Sequence, residues 1–180
     1  MSRFAAVLAL MRGWVWRMRS GVECASTPRI IGPRCRLLVE RGGRLSMGRQ
    51  CSFDRDVEIV VYRGGRLVLG DQVYVGHGST IACADTIEIG ADTMVADLVS
   101  IRDMNHRRIP GQLLRESGLE TRSVHIGSNC WIASKATIVA GADIGDNVTV
   151  GANAVVVGRV NADSTVGGIP ARPLGISANV

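Results

Sequence analysis

Aromatic residues make up 4% of this 180-residue chain although hydrophobic residues make up 46%, so its interior is narrow and has little room for Phe, Tyr or Trp. Histidine occurs three times and proline five times. The five cysteines, Cys24, Cys35, Cys51, Cys83 and Cys130, form no CxxC pair and leave an odd one over, which argues against a disulfide framework or a metal site. They read instead as small buried hydrophobes in a reducing cytoplasm. No apolar run approaches the roughly 20 residues that cross a bilayer. The formal charge is +5, but the arginines are scattered, and no helix-turn-helix, zinc-finger or aromatic RNA-binding signature accompanies them. Nucleic acid is therefore excluded as the expected partner, and the basic balance suits a small anionic molecule.

What is present is a period. Ile126, Ile132, Ile138, Ile144, Val150 and Val156 recur every sixth residue, a spacing foreign to helices and to ordinary strands. Four residues after each comes a small one: Cys130, Ala136, Ala142, Val148, Ala154 and Val160. Short strands joined by corners around a prism produce this pattern, and each repeat then buries its apolar face against the next. The same register runs backwards with corner insertions through Val95, Ile89, Val75, Leu69, Met47 and Ile31. Gly and Asn at the corners tolerate positive φ. The expected fold is all-β, a parallel solenoid over residues 28–168, preceded by a helical segment over 1–27 and followed by a tail over 169–180.

The period stops after Ile101 and resumes at Val124. The intervening residues 102–123 are polar, contain Pro and Gly, and read as a loop excursion; loops on rigid scaffolds carry function disproportionately. Of the histidines, His106 stands at the root of the excursion beside Asp103 and Asn105, His77 in a Gly-His-Gly corner, and His125 on the outer face of a strand.

Several motifs together resemble the left-handed β-helix acyltransferases: the loop start Asp103-Met104-Asn105-His106, the restart Ile126-Gly127-Ser128-Asn129-Cys130-Trp131-Ile132, the run Ile144 to Ala152, and the ending Gly168-Ile169-Pro170-Ala171-Arg172-Pro173. The likeness is to the maltose, galactoside and nodulation O-acetyltransferases and to sugar acetyltransferases of surface-polysaccharide synthesis. It covers about residues 65 to 175. It implies a left-handed coil, a homotrimer, acetyl-CoA in the groove between prisms, and a saccharide acceptor, with no metal.

The resemblance assigns His106 as the general base that takes the proton of an attacking hydroxyl, a role suited to a neutral imidazole. Asp103 or a backbone carbonyl is expected to orient the ring, and Asp103, Asn105 and His77 to meet the substrate. Trp131, Ala133, Ser134, Gly151 and Ala152 match cofactor-groove positions, Arg159 stands where relatives carry a phosphate-binding lysine, and Arg172 offers a second guanidinium. The Gly76-His77-Gly78 corner departs from the Asn pair of the maltose and galactoside enzymes. Amino-sugar N-acetylation, a γ-carbonic-anhydrase-like zinc hydratase and a non-catalytic solenoid are the alternatives. For residues 1–20, apolar with interspersed Trp and Arg, two readings stay open: a helix that caps the first coil or docks on a neighbouring subunit, or an interfacial helix making peripheral membrane contact at the inner face.

Overall fold

The computed structural model describes residues 3–175; residues 1–2 and 176–180, at the ends of the expected helical segment and tail, lie outside the described residues. Short strands wind around three walls. The first turn is Val22–Cys24, Arg29–Ile30 and Arg36–Val39, and the next three turns open with Arg44–Met47, Arg66–Leu69 and Thr86–Ile89. After the excursion the coil restarts with Val124–Ile126, Trp131–Ile132 and Thr137–Ile138, and continues with Asp143–Ile144, Thr149–Val150 and Val155–Val156. It ends on Arg159–Val160 and Thr165–Gly167, and Arg172–Pro173 adds one antiparallel strand to the second wall. The result is a left-handed parallel β-helix whose walls hold seven, eight and six strands.

Alternation along each strand sends one side chain inward, and the parallel register stacks like upon like. On the second wall Ile30, Phe53, Val75, Val95, Ile132, Val150 and Val166 form one buried column. Ile59, Ile81, Ile101, Ile138 and Val156 form its counterpart on the third. The expected register holds except in the first turn, where Ile30 rather than Ile31 points inward. The corner there carries one residue more between Ile30 and Arg36 than its successor does between Phe53 and Glu58.

The corners are as regular as the walls. Gln50, Gln72, Asp92, Asn129, Asn147 and Asp163, all at positive φ, stack where the first wall meets the second. Asn129 Nδ2 donates to Asn147 Oδ1 (2.9 Å), and Asn147 Nδ2 donates to Asp163 Oδ1 (2.8 Å). Gly90 stands just ahead because a Cβ there would lie 2.5 Å from the backbone nitrogen of Ser128 in the next turn. Where polar residues take the small inward slot, they bridge turns: Thr93 Oγ1 donates to Gly127 O and accepts from Cys130 N. A buried hydroxyl with both partners avoids the penalty of an unpaired polar group.

Helix Arg3–Arg17 covers the open end of the first turn, packing on Val22–Cys24 and Arg29–Ile30. Trp16 plugs the bore against Phe53, ring centroids 5.1 Å apart, and a Cβ on Gly13 would collide with the Pro28 carbonyl.

Candidate active site

The excursion is a hairpin rather than an irregular loop. Met104–His106 pairs antiparallel with Leu119–Thr121, placing Asn105 opposite Glu120 and His106 opposite Leu119. It leaves the prism where the third wall turns into the first, between Ser100–Arg102 and Val124–Ile126. Its root is fixed by hydrogen bonds: Arg122 N donates to Asp103 O, and Gly141 N to Arg122 O. Ser117 Oγ donates to the Leu114 carbonyl (2.8 Å) and also bonds that of Arg107.

Asp103 is the keystone of this root, which corrects its expected roles as ring orienter and substrate contact. It is 0% exposed, and its two oxygens accept from the amides of Ala84 and Asp85, each at 2.8 Å. No surface of this carboxylate is left for a ligand. Its charge also acts on Cys83, whose thiol is pushed up to about 12, chiefly by burial and then by Asp103.

Asn105 lines a cavity of about 220 Å³ with Glu120, Arg122, Val139, Ala140 and Val157, between the hairpin and the corner of its own prism. Strand alternation turns His106 and Leu119 to the opposite face of the hairpin. His106 is exposed there, and its ring makes no hydrogen bond or ion pair among the described residues. The hairpin thus offers an imidazole outward, away from the wall that carries it.

The expected cofactor residues divide. Trp131, 50% exposed, stands on the second wall directly above Met94, also exposed. Ser134 and Ala152 follow at the corner of the second and third walls, and His77 occupies the same corner two turns before Ser134, the turns being linked by Leu98 N to His77 O, Lys135 N to Asp97 O and Asn153 N to Ser134 O. Arg172 lies exposed at the end of the second wall. Ala133 and Gly151 contribute backbone rather than side chain; Ala133 is buried, and the amide of each is engaged with the next turn. Arg159 sits on the first wall in register with Asp143, off the wall that carries Trp131.

The histidines are likewise dispersed. His77 Nδ1 lies 3.2 Å from the Arg55 carbonyl and 3.5 Å from Asp56 Oδ2, while His125 Nδ1 on the first wall lies 3.3 Å from Glu88 Oε2. Among the described residues no group of three or more His, Cys, Asp or Glu is placed to hold a metal ion. In a triangular prism the corner bearing the hairpin is opposite the second wall. His106 and Trp131 of one chain therefore face away from each other, and one site using both needs two copies.

The bacterial transferase hexapeptide (six repeats) family matches residues 123–158, the uninterrupted turns just described. Residues 123–158 therefore resemble the repeats of that family. Over 160 residues it is 28% identical to WbbJ of Escherichia coli (strain K12), named for O-acetyl transfer in lipopolysaccharide biosynthesis, covering 80% of each chain. It spans about half or less of several longer relatives, acetyltransferases among them. Among solved structures, a maltose O-acetyltransferase from Clostridium difficile 630 is 26% identical, with a TM-score of 0.55 over 76% of this chain and 69% of that one. AntD, an N-acyltransferase from Bacillus cereus solved with coenzyme A and dTDP-4-amino-4,6-dideoxyglucose, superposes at a TM-score of 0.73 over 91% and 87%. At 15% identity AntD shows likeness of fold alone.

Three neighbours of the site escaped the sequence reading. Glu120 and Arg122, paired at 2.7 Å, complete the Asn105 cavity, and Leu119 flanks His106. The alternation of Leu119-Glu120-Thr121 was the available signal, hidden by the absence of a hexapeptide period. Met94 escaped that reading as well, although it precedes inward Val95 as Trp131 precedes inward Ile132.

Proposed function

We propose that this protein is an acetyl-CoA-dependent sugar O-acetyltransferase that works as a homotrimer, each site formed by the hairpin of one copy and the second wall of its neighbour. The observation that carries this is the outward, unpartnered His106 on the edge opposite exposed Trp131. WbbJ and the maltose enzyme, both O-acetyltransferases by name, support the hydroxyl acceptor.

In this reading Nε2 or Nδ1 of neutral His106 accepts the proton as the sugar oxygen attacks the thioester carbonyl carbon. Collapse of the tetrahedral adduct breaks the carbon–sulfur bond, and the imidazolium returns the proton to the departing thiolate. Trp131 and Met94 supply an apolar strip for the pantetheine arm, Ser134 and Ala152 a low corner beside it, and Arg172 a guanidinium for phosphate. Asn105 with Glu120 and Arg122 shapes the approach to the hairpin. Asp103, fully buried at the hairpin root, has no part in ligand contact.

The test is release of free thiol from acetyl-CoA with a panel of sugars and amino sugars. The reading expects ester products with hydroxyl acceptors and a loss of at least about 10²-fold in His106→Ala. Amide products only would assign the N-acyl chemistry of AntD instead, and turnover surviving in His106→Ala would remove the base.

A further inference from the structure

The capping helix is apolar on both faces. Ala9, Gly13 and Trp16 are buried against the first turn, yet Val7, Leu10, Met11, Trp14, Val15 and Met18 stay exposed, Trp14 at 58% and Met18 at 67%. These six recur at three- and four-residue spacing, so they form one stripe on the side facing away from the solenoid. A helix that is apolar all round is ordinarily covered on every side. Here the solenoid covers one side.

What covers the other is indicated by charge. No acidic residue occurs in the first 20 positions, whereas Arg3, Arg12, Arg17 and Arg19 do. On the helical wheel Arg17 borders one edge of the stripe, and Arg12 and Arg19 the other. The guanidinium groups of Arg12 and Arg19 make no hydrogen bond or ion pair among the described residues. They line a cavity of about 300 Å³ with Val15, Cys35 and Arg34, the last held by Asp56 at 2.6 and 2.7 Å. A second copy docked through this face would set arginines against arginines with no helix carboxylate between them.

We propose that the end of the prism is a docking surface for an anionic phospholipid bilayer. The stripe enters the interface with Trp14 at headgroup depth, and Arg12, Arg17 and Arg19 meet lipid phosphates around it, one of them at the helix–coil cavity. The chain would then lie on the membrane through an already folded helix, with no span across it; no described helix is long and apolar enough for a crossing. This inference is independent of the acetyl-transfer reading.

The experiment is co-sedimentation of the full chain with phosphatidylglycerol–phosphatidylcholine vesicles and with phosphatidylcholine alone. Binding to the anionic vesicles is expected to be at least about tenfold tighter and to fall as salt rises, since each surface arginine contributes about fivefold. The variant Leu10→Gln/Met11→Gln/Trp14→Gln is expected to lose at least about tenfold without change in thermal midpoint, and Arg17→Gln/Arg19→Gln to flatten the lipid and salt dependence. Brominated phosphatidylglycerol is expected to quench the tryptophan emission of the unmodified chain, a readout that needs no variant. Three results would overturn the proposal: a chain that stays in the supernatant, unquenched fluorescence, or a stripe variant whose effect is to shrink the solution oligomer instead of releasing the membrane.

Discussion

The wall and the hairpin are built on opposite principles. In the wall the buried side chains form apolar columns, Ile132 between Val95 and Val150, and polar groups enter only as bridges such as Thr93. In residues 103–123 the buried side chains are Asp103 and Ser117, both polar, and the apolar Leu113, Leu114 and Leu119 are exposed. Packing holds the wall; a few hydrogen bonds hold the hairpin. Stability and chemistry are thus assigned to separate parts, and substitutions can pull them apart.

The largest expected effect is His106→Ala, with turnover reduced by about 10²–10⁴-fold while the thermal midpoint stays unchanged, because the exposed ring makes no hydrogen bond or ion pair among the described residues. Equal losses in both would put His106 in the scaffold. Ile132→Ala is the reverse case: removing a fully buried side chain from a column should lower stability by about 2–5 kcal/mol, read by denaturant unfolding. A loss under about 1 kcal/mol would mean that the column is loosely packed.

Asp103→Ala joins the two regions. It strips the acceptors from the Ala84 and Asp85 amides, which should cost about 1–3 kcal/mol per unpaired group and let the hairpin drift, so activity falls although His106 is intact. Thiol chemistry reports the same event. With Cys51 raised to about 11 and Cys83 to about 12 by burial, neither should react with iodoacetamide at neutral pH in the native protein. In Asp103→Ala, Cys83 should become reactive while Cys51 stays protected; labelling of both in the parent would contradict the packed interior.

The smallest effect concerns the first wall. The Arg66 guanidinium, and secondarily His125, hold the Glu88 carboxyl below its ordinary range. A depressed folded-state value contributes stability above the unfolded carboxylate pKa and loses it as pH falls through the lower folded value. Glu88→Gln should therefore flatten the acid side of the stability profile by less than about 1 kcal/mol, since the group is 41% exposed and screened. A profile unchanged by the substitution would make the ion pair energetically silent.

Most of the scaffold was legible because a six-residue period leaves so few alternatives. The miss at Ile31 came from a single extra corner residue, which local spacing does not reveal. The hairpin was harder. Its pairing depends on Gly118 and Arg107 meeting from eleven positions apart with no repeat to guide them, and Asp103 looked like a ligand because a buried carboxylate and an exposed one read alike in sequence. Motif matching likewise fixes the order of Arg159 along the chain but not its wall, which follows from counting strands around the prism.

The central claim is that one site joins the hairpin of one copy to the second wall of another. The direct measurement is activity after mixing and reassembling His106→Ala and Trp131→Ala chains, each inactive or nearly so alone. In random trimers of a 1:1 mixture about a quarter of the sites pair an intact hairpin with an intact wall, so about a quarter of parental turnover should return. No recovery from chains shown to have exchanged would contradict the shared site.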